Sequence, residues 1–440
     1  MVRKDSSTSV SRLANSNKLQ NARRIQAMRK AFNLVRNRQK ANAHRIPDLE
    51  KRKRRLKQAR KYAVGNESII KQAVENLRQN GIRVCSAVSR EEAISLVIKE
   101  IGDNKLVVKS KSNLTKEIGL TAALERKGIE VVETDIGDRI IQLAGDEPTH
   151  PTGPASHLTK HDIAKMLSTY YRLKVQPNAK YIVDFLRTRI SADIARSKVG
   201  ITGANAIAAE EGAILLLHNE GNIIEVAMRP EKHIILAGID KIYQNLEEAM
   251  NMLKIQAFCT TGSLKTSFVN IVSGPSQTAD IEKQLIAGVH GPAELCVILV
   301  DNHRHDIAIS EYRDLLHCIG CGQCLLVCPA YGVHSSRFTA DSNLGGRGLV
   351  YSALSGGVPI NKRSGLDLCL SCRKCRHNCP VDIDIPSMIV KLRLKKYKRR
   401  EAHIQTAYDF LRAHIEWIGS AAGLEMLLLA LKFSAKQDSD

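Results

Sequence analysis

Between Ser68 and Val300 the apolar positions switch repeatedly between a helical and an extended period. IIKQAVENLRQN (69–80) repeats at helical spacing and stops at Gly81, IRVCSA (82–87) reads as a short strand, and Arg90–Ile101 is helical again. LVVKS (106–110) predicts a buried strand, TKEIGLTAALERKG (115–128) a helix and IEVVET (129–134) another strand. After a loop rich in Pro and His (150–161), helices lead to Val199, and strands recur at 213–218, 233–238, 268–272 and 295–300. This cadence predicts one layered α/β domain over 65–303 with largely parallel strands.

The pattern differs at both ends. From Lys18 to Lys61, Ile25, Met28, Phe32 and Val35, then Leu49, Leu56 and Ala63, form a thin apolar stripe on basic helices broken near Pro47. Residues 1–64 therefore read as a helical arm. After Glu401 the pattern is helical, with apolar residues nearly surrounding the helix from Leu424 to Phe433. We take 401–440 as a helical tail that either covers the preceding domain or docks a partner. No stretch of about 18 uncharged apolar residues occurs, so no membrane span is expected.

Composition adds a sizeable core, with 43% hydrophobic and 25% charged residues. The net charge of +21 raises the question of nucleic acid, and its distribution answers it. Residues 1–61 carry +17 and residues 391–440 carry +4, which leaves the middle neutral. With Phe32 the one aromatic between Lys18 and Lys61, base-stacking positions are missing and nucleic-acid binding is disfavoured. A solvated arm packed on the next domain and a docking arm for an acidic partner both stay open.

The chemistry concentrates in residues 304–400. Cys318, Cys321, Cys324 and Cys328 precede Pro329, and Cys369, Cys372, Cys375 and Cys379 precede Pro380. Each run is C-x2-C-x2-C-x3-C-P, by which bacterial-type ferredoxins hold [4Fe–4S] clusters while the fourth cysteine ligates the other cluster. Three thiolates at i, i+3 and i+6 wrap one cubane. The later cysteine, opening a proline-started helix, points away to the partner cluster. We therefore assign Cys318, Cys321, Cys324 and Cys379 to cluster 1, and Cys369, Cys372, Cys375 and Cys328 to cluster 2. Zinc would favour two separated CxxC pairs. Disulfides would call for a secretory signal, and none is evident, so a cytoplasmic location is expected. Cys85, Cys259 and Cys296 stand singly among apolar neighbours and read as core residues.

In the α/β domain, polar groups gather where packing does not need them. Lys109, Ser110, Lys111 and Ser112 follow a strand, at the sheet edge where open α/β folds bind ligands. Thr202, Gly203 and Asn205 with Glu210 form a second group, and Asn219, Glu220, Gly221 and Asn222 a third. Ser273, Gly274, Ser276, Asp280 and His290 complete the set. Glycines let amides approach an anion, and lysine and serine add charge and donors. Each segment by itself is also what an ordinary turn looks like.

KSKS with EIGL, VVETDIGDRIIQLAGDEPTH, GITGAN, NEGN, SGPSQTADIE and GVHGP, followed by the double cysteine run, occur in the order found in one family. Over residues 65–390 the chain resembles iron–sulfur proteins of the LUD family, of the lactate utilization protein B type, associated with bacterial oxidation of L-lactate to pyruvate. The resemblance implies a NagB/RpiA/CoA-transferase-like α/β fold followed by a mostly helical dicluster ferredoxin domain. It also implies two partner subunits, a cysteine-rich heterodisulfide-reductase-like protein and a second LUD protein. One departure bears on substrate. A small residue and an arginine usually follow the NEGN turn in this family, and here Ile223, Ile224 and Glu225 stand there.

The expectation is an electron-transfer subunit of a 2-hydroxy-acid-oxidising complex, with two [4Fe–4S] clusters and no tightly bound NAD or FAD, because GITGAN lacks the G-x-G-x-x-G spacing. Two alternatives stay open: a CoA-transferase-like enzyme with Glu210 or Glu211 as nucleophile, and an anion-binding redox sensor.

Overall fold

The computed structural model describes residues 6–340, 343–356 and 364–396, with side chains from residue 22 onward except those of 336, 337, 339, 340 and 364. Met1–Ile389 form one compact unit and Val390–Asp440 a second. The tail expected over 401–440 lies outside the described residues.

The strands are β1 (Arg83–Ala87), β2 (Leu106–Lys109), β3 (Glu130–Glu133), β4 (Val199–Gly203), β5 (Ala206–Ala208), β6 (Ala213–His218), β7 (Lys232–Gly238), β8 (Ile242–Tyr243), β9 (Phe268–Val272), β10 (Gln277–Thr278), β11 (Ile286–Ala287) and β12 (Glu294–Val300). A six-stranded sheet runs in the order β1-β12-β7-β4-β2-β3, with every neighbouring pair parallel. Its strands are apolar on both faces, as helices covering both sides require. Along β7 and β12 alternate residues serve different cores. Ile234, Leu236, Cys296 and Ile298 face the helices Arg90–Ile101 and Leu120–Arg126, while Ile235, Ala237, Val297 and Leu299 face the helix Glu67–Gln79 and the second sheet. A third core, under β2 and β3, packs Val108 and Val132 against Leu167, Ile182, Leu186 and Ile190.

Two features depart from the sequence reading. AILLLH and FVNIV leave the parallel sheet for a second, mixed sheet of order β8-β5-β6-β9, in which β6 pairs antiparallel with β5 and with β9. The central strand β4 lies where only a helix end and a ligand loop were expected. Its glycine, a poor strand former, hid it: a Cβ on Gly200 would lie 2.0 Å from the Val226 carbonyl oxygen of the helix Asn222–Met228 packed over the strand.

The arm forms two helices, Ser6–Asn42 and Leu49–Ala63, with Pro47 and a left-handed Asp48 at the break. Its apolar stripe is buried. Met28 and Leu56 are fully covered, and Phe32 stacks on Tyr331 at 6.4 Å and meets His150 edge-on at 5.4 Å. The stripe is held by polar anchors on both sides of residue 303. Arg24 pairs with Asp146, Arg55 with Glu247 and Glu248, and Lys57 with Asp382. Buried Arg60 donates to the carbonyls of Leu316 (2.6 Å) and His317 (3.3 Å), immediately before the first cysteine run.

Candidate functional site

At the carboxyl edge of the parallel sheet a cleft of about 370 Å³ opens. Four strand ends supply one wall: Lys111 and Ser112 after β2, Asp135 after β3, Gly203 and Asn205 after β4, and Asp240 and Lys241 after β7. The facing wall is the first cysteine loop, with Cys318, Ile319, Gly320, Gly322 and Cys324, backed by Arg347 on the helix Gly345–Leu354. The α/β cleft and the cluster 1 loop thus enclose one space. Nothing in the sequence pattern announced this.

Charges in the cleft are paired. Lys111 binds Asp135 at 2.5 Å and Lys116 binds Asp138 at 2.6 Å. Burial opposes charge on Lys111, and the carboxylates of Asp135 and Asp138 outweigh it and raise its pKa. Arg304 anchors the floor: it donates to Glu117 at 2.9 and 3.0 Å, to Asp240 at 2.6 Å and to Tyr351 at 2.7 Å. Burial alone would raise Glu117, yet Arg304 holds it below the usual carboxylate range. For Asp240 burial likewise acts upward and is overcome by Lys241, Arg304 and Arg60. Lys241 also donates to the Cys318 carbonyl at 2.9 Å, tying β7 to the cysteine loop.

One buried N–H donor on the cluster side, Arg347 Nε, has no partner, whereas His150, 4% exposed, is held against the Gly322 backbone. Thr152 N–H donates to His150 Nδ1 at 3.3 Å. A backbone amide can only donate, so Nδ1 is the bare nitrogen and Nε2 carries the hydrogen. Burial pushes His150 down to about 4, leaving it a neutral donor at neutral pH. At the mouth, Glu220 is raised to about 7 by burial and the nearby charge of Asp135. Such buried, unmatched groups mark functional clefts more often than packed cores.

The predicted residues divide sharply. Lys111, Ser112, Gly203, Asn205, Asn219, Glu220 and Asn222 line the cleft. Lys109 does not: fully buried, it pairs with Glu133 at 2.9 Å. Ser110 is buried beside it, Thr202 is buried on His233 at 2.8 Å, and Gly221 is the left-handed N-cap of the next helix. Ser273, Gly274, Ser276, Asp280 and His290 lie outside the cleft lining, along an excursion that carries β10 and β11, where Ser276 Oγ accepts from His290 N–H. Glu210 and Glu211 also lie outside it, accepting from the Gln244 side chain and the Leu246 amide. Ile223 lines the cleft at the turn where the family's arginine would follow. Sequence reasoning missed His150, Lys116, Glu117, Asp240, Lys241, Arg304 and Arg347. Asp240 and Arg304 follow strands at the sheet's carboxyl edge, the signal that could have found them.

The run cysteines lie close together. Cys321 and Cys379 both feel the charge of Cys318, and Cys328 and Cys375 both feel Cys369 and Cys372, while Cys324 feels Cys318 and Cys379 and also Cys375 and Cys328 from the other run. Cys328 caps the helix Pro329–His334, with Tyr331 N–H donating to its sulfur at 3.4 Å. Cys379 was expected to open a helix too. It sits in a turn, its sulfur taking amide hydrogen bonds from Val381 and Ile383, and the next helix starts at residue 385 behind the Asp384 cap. Amides of Gly320 and Tyr331 donate to the sulfurs of Cys318 and Cys328, as they would to cluster thiolates.

A parallel α/β domain with a polar cleft, closed by a ferredoxin-type double cysteine loop, defines an iron–sulfur protein of two clusters. The family model described as LUD domain matches residues 70–300, and that described as 4Fe-4S dicluster domain matches 314–383. The chain belongs to the LUD family. It is 32% identical to "Uncharacterized electron transport protein YkgF" of Escherichia coli K12, over 83% of this chain and 77% of that one. It is 32% identical to lactate utilization protein B of Anoxybacillus flavithermus (73% and 67% of the two chains) and 33% identical to that of Shouchella clausii (73% and 66%). A solved DUF162 family protein of Deinococcus radiodurans aligns over 53% of this chain at 16% identity, with a TM-score of 0.31. Among the described residues no helix is long and apolar enough to cross a membrane.

Proposed function

We propose that the protein is the iron–sulfur electron-transfer subunit of a complex that oxidises a small 2-hydroxy acid of the L-lactate type. The observation that carries this is the shared wall: the polar cleft at the sheet edge is closed by the loop of Cys318, Cys321 and Cys324. Names of relatives in lactate utilization support the substrate class. The resemblance adds the NagB/RpiA/CoA-transferase-like fold and the two partners, a cysteine-rich heterodisulfide-reductase-like subunit and a second LUD protein.

Cys318, Cys321, Cys324 and Cys379 hold cluster 1 in this reading, and Cys369, Cys372, Cys375 and Cys328 hold cluster 2. When bound, two such clusters store and pass one electron each, the two that leave when a hydroxyl becomes a carbonyl. The chain's own groups bind and orient the anion. Arg347 Nε–H donates to its oxygens, Lys111 supplies charge, and Glu220 holds or releases a proton near neutrality. Two of the residues that would hold cluster 1, Cys318 and Cys324, line the cleft, whereas Cys372 and Leu370, beside the residues that would hold cluster 2, are exposed, so the second set would offer the surface contact for a redox partner. The CoA-transferase alternative loses ground because Glu210 and Glu211 stand outside the cleft.

The test is anaerobic mixing of the cluster-loaded chain with L-lactate and a one-electron acceptor, with and without the partner subunits. Reduction that needs the partners is the expected result. Turnover by the isolated chain would overturn the subunit reading.

A further inference from the structure

Away from the cleft, toward the amino edge of the parallel sheet, Cys85, Glu100 and Cys296 converge. One ligand atom from each, two Sγ and a carboxylate oxygen, all lie within 4.8 Å of one another. The strand register explains the meeting of the thiols. Arg83 of β1 pairs with Cys296 of β12, and Cys85 pairs with Ile298. Partners across a ladder share a face and residues two apart return to it, so both thiols stand on the side covered by the helix Arg90–Ile101. Glu100 lies in the last turn of that helix, three residues after buried Val97, and its side chain is 11% exposed. Cys296 is fully buried and Cys85 is half-buried at the border of the same core. The reading of both cysteines as core residues holds for their packing and misses the carboxylate that joins them.

The charges around the trio balance without the thiols. Glu100 meets Arg83 and Lys232 (3.7 Å), both through Oε2, and Glu294 meets Arg83 (3.4 Å) and Lys232 (3.0 Å). Two cations and two carboxylates cancel. Two thiolates added to this patch leave a double negative charge, which a divalent cation returns to zero.

We propose that Cys85, Cys296 and Glu100 form a binding site for a thiophilic divalent cation of the Zn²⁺ type, separate from the cysteine runs. Zinc takes thiolates at about 2.3 Å and carboxylate oxygens at about 2.0–2.2 Å, so a tetrahedral ion sets its two sulfurs about 3.8 Å apart, inside the span found here. Binding releases the two thiol protons to solvent. Glu100 keeps its cations through Oε2 and offers Oε1 to the metal. Three protein ligands leave the fourth position to water, reached from the half-buried Cys85 side. The ion ties β1, the edge strand of the sheet, to β12 and to the helix Arg90–Ile101. None of the three ligands lines the cleft or belongs to the cysteine runs, so the site stands or falls independently of the electron-transfer reading.

The experiment is anaerobic equilibrium dialysis of the cluster-loaded full chain against Zn²⁺, with zinc and iron counted by plasma mass spectrometry, for the wild type, Cys85→Ala and Glu100→Gln. Both substitutions fall at the border of the core, and iron staying at about eight per chain reports an intact protein. The expected result is about one zinc per wild-type chain, and an affinity at least about a hundredfold weaker in C85A, beyond the range for losing an outer-shell partner. E100Q should also bind more weakly. X-ray absorption at the zinc edge should show two sulfurs at about 2.3 Å and two lighter atoms at about 2.0–2.2 Å. No zinc on the wild type, or zinc affinity unchanged in either variant, would overturn the proposal. So would a zinc shell with any other sulfur count, four sulfurs being the mark of zinc lodged in the cysteine runs.

Discussion

Arg304 joins the two halves of the site, and replacing it with methionine isolates what that joint is worth. Its side chain is 5% exposed, against 8% for Glu117 and 2% for Asp240, so water cannot take over its role. Removing one partner of a buried pair costs about 3–5 kcal/mol, because the remaining charge is left without compensation. Here both carboxylates keep some support. Asp240 retains Lys241 at 2.7 Å, and Glu117 retains Asn302 and Tyr351, each at 2.8 Å. The loss from Arg304→Met should then fall at the lower end, about 3 kcal/mol, or roughly a hundredfold in the unfolding equilibrium. Anaerobic guanidinium titration of the loaded chain, followed by far-UV circular dichroism, reads this directly. Adding Glu117→Gln should recover part of the loss, since it removes the stranded charge. A loss below about 1 kcal/mol in the single variant, or no recovery in the double, would refute the buried-charge account.

Three further outcomes follow from the same geometry. Cys328→Ser should disturb the resonance of the cluster held by Cys369, Cys372 and Cys375 and spare the other, since Cys328 lies with that group. Gly322→Ala should lower iron content toward about four per chain: the residue is left-handed at φ +71°, and a Cβ there would lie 2.4 Å from His150 Nε2. Affinity for lactate or oxalate should rise as pH falls through about 7, where Glu220 takes up its proton. The gain expected is about fivefold, the size of a ~1 kcal/mol repulsion between unit charges in water-like surroundings, and Glu220→Gln should abolish the dependence. The sign for folding agrees. A carboxyl raised in the folded state contributes stability that is present below its ordinary pKa and lost as pH climbs through about 7.

The legible parts of this chain were those with local signatures. The cysteine runs declare their chemistry in the spacing of Cys318 to Cys328 and Cys369 to Cys379, and strands such as HIILAG and LCVILV declare themselves by unbroken apolarity. Strand β4 stayed hidden because Gly200 is there for a backbone contact made by a distant helix. The cleft was half legible: Lys111 and Glu220 stand beside strand-end or turn signals, whereas Arg347 and His150 reach it only because the cluster module folds back over the sheet. Long-range placement of this kind leaves no trace in local pattern. The arm's basic charge left two readings open in the sequence, and the contacts of Arg60 and Arg55 with carbonyls and carboxylates of the body agree with an arm packed on the next domain.

The central claim is that the α/β cleft and cluster 1 form one site. Adding oxalate, an unreactive anion of the substrate's size, to the reduced, cluster-loaded chain and recording both cluster resonances tests it most directly. The account predicts a changed line shape for the cluster that Cys324→Ser disrupts, with no change at the cluster that Cys328→Ser disrupts. A response confined to the second cluster, or none at saturating anion, would contradict it.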